Sequence, residues 1–156
     1  MQSDYPEIIT LANNITKDCF SDMEKTKAIH DWICNSIAYD IDGANPLNIH
    51  EYSSLETLHN KLAVCNGYAN LTAALNRAIG IKTKICSGKA KGNNGFENHA
   101  WNETFINGKW IIQDTTWDAG GTDFFGNFKF NYSDKYFNPS ESDFSKDHIK
   151  ISETYF

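Results

Sequence analysis

The chain has 156 residues, of which 40% are hydrophobic and 13% aromatic, and a formal net charge of −6. That length suits one domain, expected to span residues 1–156, and buries roughly 70% of its unfolded surface around one core. The composition excludes a disordered chain, and no apolar run nears the ~18 residues of a membrane-spanning helix.

The 14 basic residues form no dense stripe. Lys82, Lys84, Lys89 and Lys91 alternate along a strand and loop with little aromatic company, which argues against nucleic acid as a partner. Cys19, Cys34, Cys65 and Cys86 include no C-x-x-C pair, so no zinc site is expected. Met1 to Pro6 shows no basic stretch followed by an apolar one, so no leader peptide is visible.

Ile8, Ala12, Ile15 and Cys19 recur at helical spacing after Pro6, a residue suited to a first helical turn. Ser21-Asp22-Met23-Glu24 reads as a capping box for a second helix with Ile29, Trp32, Ile33 and Ile37 on one face. Turn chemistry around Gly43, Asn45 and Pro46 follows. Ser53 and Glu56 make another capping box, for a short helix carrying Leu55, Leu58 and Leu62. A helix is predicted from about Asn66 to Ile79, closed by Gly80. Ile81, Thr83 and Ile85 alternate with polar residues as in a strand, and the Gly- and Asn-rich segment Ser87 to Glu97 reads as a loop. Two strands then flank Asn107-Gly108, a strong hairpin signal. The tail from Gly120 has no clean period. Helices first and strands later make an α+β domain, with N-terminal helices packed on an antiparallel sheet.

A catalytic thiol needs its thiolate stabilised, a base for its proton and a third group to orient that base. Cys65 stands at the start of the predicted helix, where the macrodipole and free N–H groups favour negative charge on sulfur or on a substrate oxyanion. Gly67 is read as leaving room beside the sulfur for substrate. A two-residue turn at Asn107-Gly108 pairs Phe105 with Trp110. Continued outward, that register sets Trp101 opposite Asp114 and His99 opposite Thr116. His99 and Asp114 then become diagonal neighbours on one face, within hydrogen-bonding reach. Each residue also has an ordinary reading: a buried cysteine, a surface histidine, a turn aspartate. Those readings do not account for the three occurring in compatible settings.

Ala63-Val64-Cys65-Asn66-Gly67-Tyr68-Ala69, His99-Ala100-Trp101-Asn102-Glu103 and Asp114-Thr115-Thr116-Trp117-Asp118 resemble the three motifs of the transglutaminase-like superfamily. Ile29-His30-Asp31-Trp32-Ile33, Ala78-Ile79-Gly80-Ile81, Tyr136-Phe137 and Asp147-His148 match as in bacterial members, so the resemblance covers about residues 6 to 150. Asn60-Lys61-Leu62 departs from it, since a glycine is common before the nucleophile.

The resemblance implies a papain-like transglutaminase core with Cys65 as nucleophile, His99 as base and Asp114 as orienter. It implies acyl transfer from peptide or protein substrates to water, as in a cysteine peptidase or amidase, or to an amine, as in a transglutaminase. The rival reading is a non-catalytic peptide- or cell-wall-binding module on the same fold. Tyr68 and Trp101 are the candidate substrate contacts, with core packing as the alternative for each, and Asp118 replaces Asp114 only if a bulge intervenes. Eukaryotic members can depend on calcium, but no stretch here resembles a calcium loop, so no cofactor or metal is expected. Bacterial members are often parts of surface or secreted proteins. That analogy, rather than any residue, is the ground for expecting such a location.

Overall fold

The computed structural model describes residues 2–48 and 50–155. Pro6 begins helix α1 (Pro6–Thr16), which buries Ile8 and Ala12 and stops short of Cys19. Ser21 caps α2 (Asp22–Ser36) by accepting the Glu24 amide, while the Glu24 carboxylate accepts from the Phe20 N–H. Strand β1 (Ala38–Tyr39) follows. Ser53 and Glu56 form the predicted capping box of α3 (Ser54–Asn60), which ends on Lys61 in the left-handed region at φ 54°. This is the position where glycine is usual, and a side chain there costs about 1 kcal/mol. The Lys61 Nζ sits 4.6 Å from the centre of the Trp32 ring, a cation–π contact that offsets part of that cost.

Strand β2 (Leu62–Ala63) pairs in parallel with β1, Tyr39 opposite Ala63, and leads directly into α4 (Cys65–Ala78). One side of α4 sends Tyr68, Leu71, Ala74 and Leu75 into a core shared with Ile8 of α1 and Ile29 and Ile33 of α2. The other side sets Ala69 and Ala73 against Ile85 and Ala100.

Those last two residues belong to the sheet. After β3 (Thr83–Gly92), β4 (Gly95–Ile106) and β5 (Lys109–Gln113) the chain runs through α5 (Thr115–Ala119), β6 (Gly120–Thr122), β7 (Phe128–Phe130) and α6 (Glu141–Phe144) to β8 (His148–Thr154). The four-stranded sheet has the order β5-β4-β3-β8 and is antiparallel throughout. β6 and β7 form a separate hairpin. No helix among the described residues is long and apolar enough to cross a membrane.

Leu62 lies in β2 rather than on α3, and two expectations about the sheet also need correction. The segment Ser87 to Glu97 is not a loop: β3 and β4 continue through it as a hairpin, with Gly92 opposite Gly95. Gly88 marks a close approach, since a Cβ there would lie 2.0 Å from the Ile149 carbonyl oxygen of β8. Pairing with β8, which the aperiodic tail conceals, overrides the loop-like composition. The hairpin at Asn107-Gly108 has the predicted turn, both residues at positive φ and Phe105 opposite Trp110. Its ladder, however, ends at Asn102 opposite Gln113. Trp101 therefore does not pair with Asp114, nor His99 with Thr116. The chain turns out of the strand because the Asp114 carboxylate caps α5, accepting from the Thr116 and Trp117 amides.

Candidate active site

Cys65 is the first residue of α4, a helix end that no side chain caps. Its sulfur therefore lies beside first-turn N–H groups that remain available to negative charge. The parallel pairing of β1 with β2 holds this helix start beside Tyr39. His99 comes from β4 and is almost completely buried.

The His99 Nε2 lies 2.7 Å from Oδ2 of the fully buried Asp114. That leaves Nδ1 as the ring nitrogen available to the thiol. Burial opposes charge on His99. The charge and hydrogen bond of Asp114, with Cys65 hydrogen-bonded alongside, outweigh it and push the imidazole up to about 10. Burial likewise opposes charge on Asp114, but the charges and hydrogen bonds of His99 and His148 hold its carboxyl well below the usual range. The register predicted the meeting of His99 and Asp114 for the wrong reason. The helix cap, not the ladder, aims the carboxylate.

A cleft of about 510 Å³ opens on Cys65 and His99, with Tyr39, Glu97, Asn98 and Trp117 among its walls. Residues 9–115, from the first helix to the cap of α5, match the family model of the transglutaminase-like superfamily. The chain belongs to the transglutaminase-like superfamily. In an alignment 148 residues long that covers 89% of this chain, it is 30% identical to the kyphoscoliosis peptidases of Mus musculus and Homo sapiens. It spans 22% of the length of each of those relatives. A solved Cytophaga hutchinsonii protein, described as a candidate cysteine protease, superposes with a TM-score of 0.70 at 26% identity. That match covers 98% of this chain and 43% of the other. A TGase structure matches at a TM-score of 0.58 and 22% identity over 88% of this chain and 35% of its own, a likeness of fold.

Within this transglutaminase-like domain the other residues singled out from sequence take different places. Tyr68 has no exposed surface and donates its hydroxyl to the Ile37 carbonyl, so it belongs to the core and not to the cleft. Trp101 is 1% exposed and stacks beside His99 with its ring centre 6.2 Å away. It packs in a buried cluster with Cys86, Tyr136 and Phe144 and lines no part of the cleft.

Gly67 does not make room for substrate. A Cβ there would lie 2.6 Å from both Ala63 and Thr57 side-chain atoms, so glycine lets α4 press against β2 and α3. Asp118 belongs to a separate buried network, with Oδ2 3.0 Å from His30 Nε2 and Oδ1 accepting from Ser133.

Two residues escaped the sequence reading as members of the site. Tyr39 was concealed because β1 is only two residues long, too short for any periodicity. His148 stood only as part of a tail motif, with no signal for the strand that carries it.

Proposed function

We propose that this domain cleaves amide bonds in peptide or protein substrates through an acyl-thioester on Cys65. The sulfur, as thiolate beside the His99 imidazolium, attacks the carbonyl carbon. The C–N bond breaks as His99 gives its proton to the departing amine. Water then attacks the thioester with His99 as base, releasing the acid and restoring the thiol. Asp114 holds the imidazole in the tautomer that turns Nδ1 to the sulfur and stabilises its cation. The observation that carries this reading is the 2.7 Å His99–Asp114 bond, set in one cleft with a cysteine at an uncapped helix start. Hydrolysis is favoured over transamidation because water competes for the thioester in an open cleft.

Limited iodoacetamide labelling at pH 6, mapped by mass spectrometry, tests the thiol. Cys34 and Cys86 are fully buried, and burial pushes both thiols up, Cys86 to about 12. Cys19 is half-buried and serves as the control. Cys65 should be alkylated more than about tenfold faster than any of the others. Equal labelling of Cys65 and Cys19 would sink the reading. A peptide-library screen run with and without added amines then separates hydrolysis, transamidation and binding without turnover.

Tyr39 supplies the side-chain oxyanion donor in this scheme. It lines the cleft with Cys65, and burial, with the charges of Cys65 and Glu97 nearby, pushes its hydroxyl up to about 12, so it stays a donor. Tyr39→Phe should lower kcat about 10²-fold with KM little changed. An unchanged kcat would assign the oxyanion to the N–H groups of α4 alone.

A further inference from the structure

One buried titratable ring near the site has no part in that scheme. His148 opens β8 with its side chain wholly buried, stacked on Phe144 at 3.9 Å between ring centres. The Trp117, Trp101 and Tyr136 rings close around it. Its Nε2 lies 3.1 Å from Asp114 Oδ2, the oxygen that also meets His99. Its Nδ1 lies 2.6 Å from Asp147 Oδ1, and the other Asp147 oxygen accepts from the Tyr136 hydroxyl at 2.8 Å. Tyr136, Asp147, His148, Asp114 and His99 thus form one continuous hydrogen-bonded chain that ends at the Cys65 sulfur. The titratable groups facing the His148 ring are Asp147 beside it, Asp114 at the head of α5, His99 of β4 at 5.5 Å between ring centres, and Tyr136.

A neutral imidazole carries one N–H and one lone pair. Here each ring nitrogen faces a carboxylate oxygen, and only the imidazolium donates to both. A charge sealed among aromatic rings is expensive, and packing alone would be served by phenylalanine. Asp114 benefits directly: Oδ1 is held by two backbone amides, and Oδ2 is held between two imidazoles.

We propose that His148 is a positioning residue, an imidazolium locked between Asp147 and Asp114 that aims Asp114 Oδ2 at His99 and shares its charge. Its donor fixes the carboxylate, and therefore the His99 ring. Its charge draws on the same oxygen, so His99 gives up its proton at a lower pH than it would beside an unshared Asp114. The effect on turnover rests on the function proposed above; the protonation pattern does not.

The test compares wild-type protein with His148→Phe, which keeps the stack on Phe144 but loses both donors, and His148→Gln, which keeps an uncharged N–H toward Asp114. Ring-nitrogen NMR of histidine-labelled wild-type protein should show both His148 nitrogens protonated at neutral pH. In both variants the His99 signal should titrate at higher pH, by about half a unit or more. With a substrate in hand, His148→Phe should lower kcat by about 10- to 10²-fold at unchanged KM, and His148→Gln should recover most of it.

A single protonated nitrogen on His148, or a His99 titration unmoved in the variants, would overturn the proposal. So would a His148→Gln enzyme no better than His148→Phe. If His148→Phe fails to fold, the wild-type and His148→Gln spectra decide. The expected spectra in a protein without turnover would count against the proposed function alone.

Discussion

Replacing Cys65 by Ala is expected to abolish turnover, by about 10⁴-fold or more, while substrate affinity changes little. The change removes one sulfur at the first residue of α4, which packs only at the edge of the Ala69, Ala73, Ile85 and Ala100 cluster and lies outside the core shared with α1 and α2. Among the described residues no other cysteine lines the cleft: Cys34 and Cys86 are fully buried elsewhere, and half-buried Cys19 lies outside it. Substrate binding uses the cleft walls, which the substitution leaves in place. The measurement is single-turnover kinetics on a peptide from the library screen, with affinity read separately by calorimetry. Turnover that survives in Cys65→Ala would rule out the thiol mechanism. Retained binding with no turnover in the wild-type chain would mark a binding module on this fold.

Asp114→Asn carries the second-largest expected effect, and its cause lies in proton geometry rather than size. The Asn oxygen can go on accepting from the Thr116 and Trp117 amides, 3.0 and 3.2 Å from Oδ1 in the wild type, so the cap of α5 survives. Its NH₂ group then occupies the place of Oδ2 and faces the Nε2 atoms of His99 and His148. His99 can satisfy that donor only by turning a lone pair toward it. Its proton then sits on Nδ1, and the thiol proton has no acceptor. A serine triad loses about 10⁴-fold by this route. A thiol ionises more readily than a hydroxyl, so a loss of about 10- to 10³-fold is expected here, or about 1.4–4 kcal/mol.

The pH profile of kcat/KM should change with it. The negative charge of Asp114 is the main influence that overcomes burial and carries His99 up to about 10. Without that charge the imidazolium loses its proton nearer the ordinary histidine value of about 6.5, so activity should fall at a lower pH than in the wild type. This shift is opposite in sign to the one expected on removing His148. A silent Asp114→Asn would make Asp114 a helix cap alone. Asp118 could not take over, because His30, Ser133 and the Tyr136 amide already engage both of its oxygens.

Features that arise between near neighbours in the chain were legible from the sequence. The Ser53–Glu56 capping box, the Asn107-Gly108 turn and the start of α4 near Cys65 each depend on contacts within a few residues. Short-range rules suffice for such contacts. The candidate residues Cys65, His99 and Asp114 were legible too, through motifs that the superfamily match supports.

Long-range packing decided the rest. Gly88 looks like loop chemistry until β8, some sixty residues later, needs its backbone within contact distance. Gly67 looks like room for substrate until α3 and β2 press on α4. His99 and Asp114 meet although the strand ladder stops at Asn102 and Gln113, because a carboxylate that caps a helix must leave the strand to do so. His148 reaches the same carboxylate from a strand with no visible period. Sequence spacing carries no information about which distant backbone will pass within hydrogen-bonding distance of a buried charge. That is set only when the sheet, the aromatic cluster and the cap of α5 close together.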